Sequence, residues 1–204
     1  MSGQRAFSIP GPSGVLHGVE HMPQGNPKAI AIVAHPLPTM GGSMDNKIVT
    51  TLVKTFVDLG FVALRFNFRG VGGSTGVFDE GNGEVEDALA VTHYAIREFG
   101  KLPLILSGFS FGGYVQARAA ESLHPDKLVL IAPAVGRFAM PSIPDNSLVI
   151  HGENDEVVSL SDILTWARPQ HLPIVVVPQA THYFHGLLHQ IKSIVRLHFT
   201  GNSL

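Results

Sequence analysis

The chain has 204 residues, of which 45% are hydrophobic and 15% are charged, and its formal net charge at pH 7 is −2. This balance predicts one globular domain over residues 1–204 and gives no electrostatic reason to expect binding to nucleic acid or to an anionic membrane. The lack of cysteine excludes disulfides, thiolate catalysis and thiolate metal sites. Because no apolar run approaches the length of a membrane span and the first residues lack an apolar signal core, we expect a cytoplasmic location.

Residues 5–9 and 15–21 flank a Pro- and Gly-rich turn, which predicts an antiparallel N-terminal hairpin. After residue 28, apolar runs typical of buried strands alternate with helical segments. The predicted strands are 29–34, 61–66, 104–106, 128–131, 148–150 and 174–177. The predicted helices are about 46–59 (with Asp45 as a candidate cap), 84–98, 111–123, 159–168 and 184–198. This alternation predicts an α/β fold, with a mostly parallel central sheet and helices on both faces.

Polar residues follow the carboxyl ends of several predicted strands. His35 follows the first strand of the parallel region, and Ser110, Asp155 and His182 follow later ones. In open parallel sheets the carboxyl ends of the strands form the ligand-binding edge. We therefore expect these side chains to converge there.

The segment Gly108–Gly112 has the pattern G-x-S-x-G, with Ser110 at its centre. A strand precedes it and a helix follows it, as a nucleophile elbow requires. Such a turn forces its central residue into an unfavourable backbone conformation, and glycines at 108 and 112 avoid collisions of Cβ atoms. Ser74 lies in a second G-x-S-x-G match, but no helix begins after it, so we interpret that match as a flexible turn.

A serine nucleophile needs a base, and the base needs a partner that orients it. Ser110, Asp155 and His182 occur in the order Ser, Asp, His, and here the chain resembles the α/β-hydrolase fold superfamily. The segments AHPLP, GFSFGG, HGENDEVV and ATHYFHG carry this resemblance across nearly the whole chain. It is nearest to the small bacterial serine hydrolases that have no lid. Serine in place of cysteine distinguishes it from dienelactone hydrolases, and the lack of an aspartate nucleophile distinguishes it from dehalogenases and epoxide hydrolases.

Three acids compete for the role of the acidic partner: Glu153, Asp155 and Glu156. The match to the superfamily segment H-G-x-x-D-x-x-V implies Asp155. The alternative is that Asp155 is a loop residue that caps the helix near Ser159.

The chain contains 11 histidines, so position must choose among them. His182 comes shortly after the last predicted strand, which favours it as the catalytic base. His182, His185 and His189 could also form a metal cluster, but the chain lacks an H-E-x-x-H pattern, and we predict no metal and no cofactor. His151 is interpreted as structural, orienting the loop that carries Asp155.

An oxyanion hole needs two backbone N–H groups. The resemblance implies Phe111, directly after the nucleophile, and Leu37, since Pro36 and Pro38 have no N–H. Thr39 and Met40 stay open as alternative donors. The Leu37–Pro38 bond resembles a position that is often cis in relatives.

These features predict a serine hydrolase that cleaves small carboxylic esters or thioesters through an acyl-enzyme intermediate. The alternatives are a peptidase or amidase with the same residues, a non-catalytic binding protein on this fold, or a metal-dependent hydrolase.

The short segment 136–147, where many relatives carry a lid, predicts an open cleft. Arg69 could bind an anionic substrate group, although pairing with Asp87 or Glu84 is the more ordinary role. The residues predicted to line the cleft are Met40, Phe78, Phe109, Phe138, Met140 or Tyr183. The oligomeric state and the physiological substrate are left open.

Overall fold

A computed structural model describes residues 3–201 and contains an eight-stranded sheet of order β1-β2-β4-β3-β5-β6-β7-β8. The strands are β1 (Gln4–Gly11), β2 (Gly14–His21), β3 (Ile30–Ala34), β4 (Val62–Phe66), β5 (Leu104–Phe109), β6 (Lys127–Ile131), β7 (Leu148–Gly152) and β8 (Ile174–Val177). The helices are α1 (Lys47–Asp58), α2 (Asn82–Phe99), α3 (Phe111–Leu123), α4 (Leu160–Ala167) and α5 (Leu188–Thr200).

The sheet is antiparallel at its N-terminal side and parallel elsewhere. β1 pairs with β2, and β2 with β4, in antiparallel register, whereas every pair from β4–β3 to β7–β8 is parallel. The predicted fold class, with its N-terminal hairpin, is therefore confirmed. The parallel strands all end at one edge, where the loops that matter for the site begin.

Apolar side chains cover both faces of the sheet. On one face α1 and α5 pack through residues such as Phe56 and Ile191. On the other face α2, α3 and α4 pack through residues such as Val91, Val115 and Ala167. The central strand β5 is buried along its whole length, because helices cover both of its sides.

Three sequence expectations about individual elements were wrong, two of them at helix starts. The last helix begins at Leu188 and not near residue 184, because Phe184 (φ 50°) and Gly186 (φ 75°) have left-handed backbone conformations. The cap of α1 is Asn46, whose side chain accepts a hydrogen bond from the Ile48 N–H, while Asp45 pairs with Arg65.

The third concerns β8, which was expected to be a fully buried strand. Val175 and Val176 are instead exposed, because β8 is the edge strand of the sheet.

The connection between β6 and β7 contains no helix, so this part of the chain forms no lid over the edge of the sheet. Within residues 3–201, no helix is long and apolar enough to cross a bilayer.

Candidate active site

Ser110 lies at the sharp turn between β5 and α3. Its backbone has φ 53° and ψ −116°, an unfavourable region for a residue with a side chain. Backbone hydrogen bonds hold this conformation: the Ser110 N–H donates to the Ile131 carbonyl at 2.9 Å, and the Ser110 carbonyl accepts from the N–H groups of Gly113 (2.9 Å), Tyr114 (3.2 Å) and Ala134 (3.2 Å). The serine hydroxyl is thereby fixed at the N-terminus of a helix.

The two glycines of the elbow are required by close backbone approaches. A Cβ atom added to Gly108 would lie 2.2 Å from the Gly112 carbonyl oxygen. A Cβ atom added to Gly112 would lie 2.4 Å from the carbonyl oxygen of Ala34, at the end of the neighbouring strand β3. Neither contact is tolerable, so the turn can pack against β3 only with glycine at both positions.

His182 lies between the other two predicted residues. Its Nδ1 is 2.8 Å from Asp155 Oδ2, and its Nε2 is 3.1 Å from Ser110 Oγ. Since a carboxylate only accepts hydrogen bonds, Nδ1 carries the proton and Nε2 offers its lone pair to the serine hydroxyl. This arrangement can take a proton from Ser110 and stabilise the resulting imidazolium. The structure brings the three side chains together; their catalytic roles stay predictions.

Asp155 is buried in the turn after β7. Its Oδ1 accepts hydrogen bonds from the backbone N–H groups of Val157 (2.9 Å) and Val158 (2.7 Å). Burial alone would raise the pKa of Asp155, but the hydrogen bonds from His182 and Val158 outweigh it and hold the pKa below its ordinary value. The carboxylate is therefore ionised beside His182. The cap of the following helix is Ser159, not Asp155.

The loops that carry Asp155 and His182 are joined by contacts that the sequence did not reveal. Asn154 N–H donates to the Ala180 carbonyl at 2.9 Å, and Glu156 accepts from the His182 N–H at 3.2 Å. A Cβ atom on Gly152 would lie 2.5 Å from the Ala180 carbonyl oxygen, so glycine permits this approach. These contacts fix the imidazole relative to the carboxylate.

Two further histidines support the loops. His151 is fully buried, and its Nε2 is 3.0 Å from the carbonyl of Val158, beside the Asp155 turn. His35 donates from Nδ1 to the Pro36 carbonyl (2.6 Å) and accepts at Nε2 from the Phe68 N–H (3.1 Å). Burial lowers the pKa of His35 to about 4, so it is neutral in the fold.

The backbone N–H groups of Leu37 and Phe111 are free to bind an oxyanion, since neither donates a hydrogen bond within residues 3–201. Leu37 lines the same cavity as Ser110 and His182. Met40, one of the alternative donors, has its N–H bound to the Leu37 carbonyl, whereas Thr39 lines only a neighbouring cavity. Cis peptide bonds are absent from the described residues, so the cis form considered for Leu37–Pro38 was wrong.

The other polar residues considered from the sequence have different surroundings. The Ser74 hydroxyl donates to the Asn67 carbonyl (2.8 Å) and accepts from the His17 N–H (3.0 Å), which fixes a turn. Arg69 is buried against Asp87, with Nη2 at 2.9 Å from Oδ1. Burial alone would lower the pKa of Arg69, but bonding to Asp87 outweighs it and raises the pKa.

A metal site at the histidines has little support from the geometry. No cluster of three or more His, Cys, Asp or Glu is placed to hold a metal ion in the part of the chain that the structure describes. His185 and His189 are exposed, and both ring nitrogens of His182 face Asp155 and Ser110.

The cleft above Ser110 is open and consists of three adjoining cavities. The central one, about 130 Å³, contains Ser110, His182, Met40 and Tyr183 among its lining residues. A cavity of about 310 Å³ adjoins it at Leu37 and Arg137, and one of about 250 Å³ adjoins it at Asn46 and Tyr183.

Of the residues predicted to line the cleft, Met40, Tyr183, Phe78 and Phe138 do so. Phe109 is fully buried under the His182 ring, with centroids 5.0 Å apart, and Met140 packs against the core. Two larger cavities, of about 480 and 360 Å³, lie along α1 at Val57 and Asp58 and do not include Ser110.

Comparison with known proteins gives consistent matches. A family model described as "Serine aminopeptidase, S33" matches residues 25–144. An uncharacterised protein from Rickettsia prowazekii is 36% identical over 172 residues, covering 75% of this chain and 68% of the relative.

Two solved structures are similar over nearly the full chain. One is an α/β serine hydrolase without a lid from Xanthomonas campestris, with 38% identity and a TM-score of 0.92, covering 96% of this chain and 93% of the other. The second is an α/β serine hydrolase homologue from Coxiella burnetii, with 36% identity and a TM-score of 0.85, covering 94% and 95%.

Proposed function

Because the chain belongs to the α/β-hydrolase superfamily, in the family described as serine aminopeptidase S33, we propose that it is a serine hydrolase that cleaves small carboxylic esters or thioesters through an acyl-enzyme intermediate. The observation that carries the proposal is the continuous hydrogen-bonded path from Asp155 through His182 to Ser110.

In the proposed reaction, Ser110 Oγ attacks the acyl carbon while His182 Nε2 takes the hydroxyl proton. Asp155 keeps the imidazole in the required tautomer and stabilises its positive charge. The N–H groups of Leu37 and Phe111 bind the oxyanion that develops on the carbonyl oxygen. His182 then gives its proton to the leaving group, and a water molecule, activated by the same imidazole, releases the acyl group.

The substrate size follows from the cleft. A short acyl or alcohol group fits beside Ser110, and the missing lid allows the rest of a larger molecule to extend into solvent. Since nothing in residues 3–201 covers the cleft, we propose short-chain, water-soluble esters as the substrate class.

Ser110→Ala tests the proposal. We expect the kcat/KM for 4-nitrophenyl butyrate to fall by about 10⁴-fold, because residual turnover then depends on binding and oxyanion stabilisation alone. Ser74→Ala is the matched control: it lies in the second G-x-S-x-G segment and should keep its activity. A fluorophosphonate probe should label only Ser110 by peptide mapping. Near-normal turnover by Ser110→Ala would refute the proposal.

The second candidate is an aminopeptidase, which the description of the matching family model favours. The same path of side chains can cleave an amide. Comparing esters with aminoacyl 4-nitroanilides on the same protein preparation separates the two, because a peptidase retains high kcat/KM on the anilides. A non-catalytic binding protein would neither turn over any of these substrates nor react with the probe.

A further inference from the structure

We propose that Arg137 is an anion-binding residue of the cleft and that preferred substrates carry a carboxylate a few atoms from the scissile carbonyl. The proposal rests on the proposed function, since it names the substrate class of the same site. Arg137 lines both the central cavity, with Ser110, and the adjoining cavity of about 310 Å³. Over residues 3–201, no other Lys or Arg lines either of these two cavities.

The guanidinium of Arg137 is unpaired among the residues that the structure describes. It forms no ion pair and no side-chain hydrogen bond with any residue from 3 to 201, whereas Arg65 and Arg69 bind carboxylates of the protein. Its planar set of N–H donors is therefore available for two parallel hydrogen bonds to a carboxylate of a substrate.

The backbone that carries Arg137 is held against the nucleophile. The Ala134 N–H donates to the carbonyl of Ser110 itself at 3.2 Å, and the Phe138 N–H donates to the Ala134 carbonyl at 3.2 Å. The Phe138 ring stacks on Tyr114 with centroids 4.8 Å apart. These contacts tether the loop to the turn at Ser110, so the exposed Arg137 side chain starts from a backbone position at the border of the cavity that contains Ser110.

The adjoining cavity limits the size and shape of the substrate. Its apolar lining comes from Leu37, Phe78 and Phe138. A volume of about 310 Å³ lies at the lower end of small-molecule sites, so it suits a short chain that ends in a charged group. Glu80 also lines this cavity, so a carboxylate is favoured only where it approaches Arg137 more closely than Glu80.

The test compares an anionic ester with a neutral ester of nearly equal size on wild type and Arg137→Gln. The substrates are 4-nitrophenyl hydrogen glutarate and 4-nitrophenyl methyl glutarate. We expect the anionic-to-neutral ratio of kcat/KM to fall by roughly three- to tenfold in the variant. Raising NaCl should lower this ratio in wild type and not in the variant, because salt screens an exposed charge.

A second substrate pair, the butyrate esters of 4-hydroxybenzoate and of its methyl ester, places the carboxylate on the alcohol side. A falling ratio in either pair supports the proposal and shows which side of the substrate contacts Arg137. Arg97→Gln is the matched control, since Arg97 is an exposed arginine on the last turn of α2, outside the cleft; both ratios should be unchanged. Glu80→Gln should raise the ratio by removing a repulsive charge.

Ratios that stay constant in Arg137→Gln for both substrate pairs would overturn the proposal. A binding measurement that needs no hydrolysis distinguishes the absence of the anion site from the absence of esterase activity. Saturation-transfer NMR of 4-nitrophenyl hydrogen glutarate should give a stronger signal with Ser110→Ala than with Ser110→Ala/Arg137→Gln. Equal signals would refute the anion site even if the protein hydrolysed no ester.

Discussion

Replacing Asp155 with asparagine tests the acidic member of the proposed triad. Asparagine keeps an oxygen that can accept from the N–H groups of Val157 and Val158, so the turn can form as before. Its NH₂ group, however, would face His182 Nδ1 and donate to it. The imidazole would then carry its proton on Nε2 and could not accept the proton of Ser110.

The size of the effect follows from the 2.8 Å distance between His182 Nδ1 and Asp155 Oδ2. Two unit charges at that separation attract by about 6 kcal/mol at an effective dielectric constant of about 20. This energy is absent in the ground state, where the imidazole is neutral, and appears when the imidazolium forms. Its loss corresponds to a decrease of roughly 10⁴-fold in kcat/KM.

The assay measures kcat/KM for 4-nitrophenyl butyrate with Asp155→Asn and with Glu156→Gln. The control is closely matched, because Glu156 also contacts His182, but at its backbone N–H (3.2 Å) and not at the ring. Glutamine can accept the same hydrogen bond, so we expect a change of about threefold at most. Thermal unfolding of both variants checks that each is folded. Equal losses in the two variants, or a minor loss in Asp155→Asn, would refute the assignment of Asp155.

Two further predictions concern stability. Burial lowers the pKa of His35 from about 6.5 to about 4, so its contribution to stability is complete above pH 6.5 and is lost as the pH falls toward 4. In urea unfolding, the difference in unfolding free energy between wild type and His35→Asn should shrink by roughly 2.5 kcal/mol between pH 7 and 4.5. A difference that does not depend on pH would contradict this prediction. Arg69→Met leaves the buried carboxylate of Asp87 without its ion-pair partner and should lower the free energy of unfolding in urea by about 3–5 kcal/mol. The kcat/KM of the folded variant should change less than twofold. A large rise in KM with unchanged stability would instead make Arg69 a substrate contact.

The sequence was sufficient for the fold because its signals are local. Continuous apolar runs such as residues 30–34 predict buried strands, and the alternation with amphipathic helices then leaves few topologies. The glycines at 108 and 112 were also predictable, since a strand-to-helix turn with a serine at its apex imposes them. Burial of β8 was not predictable, because the same valine-rich sequence suits a central strand and an edge strand, and only the strand order distinguishes them.

Contacts between distant loops explain what the sequence missed at the site. Gly152 belongs to the H-G-x-x-D-x-x-V segment, but the match did not explain why a glycine is needed there, because its role depends on the path of the loop at Ala180, 28 positions later. Glu156 was considered only as a competitor of Asp155, yet it binds the backbone of His182. Arg137 was not singled out, because an exposed arginine in a loop is ordinary until its neighbours across the cleft are known.

The residues proposed to carry out the reaction and those at the border of the cleft that could select the substrate differ in burial. Ser110, Asp155 and His182 are buried, and backbone hydrogen bonds or close glycine contacts hold the turns that carry them. Substitutions that change the size of these side chains therefore disturb the loops as well as the reaction, unlike the nearly isosteric Ser110→Ala and Asp155→Asn. Arg137 and Tyr183 are exposed at the border of the same cavity and can change with little effect on packing. Substitutions that alter substrate preference without loss of stability should therefore fall on these exposed positions, where the cost to the folded state is usually within about 0.5 kcal/mol.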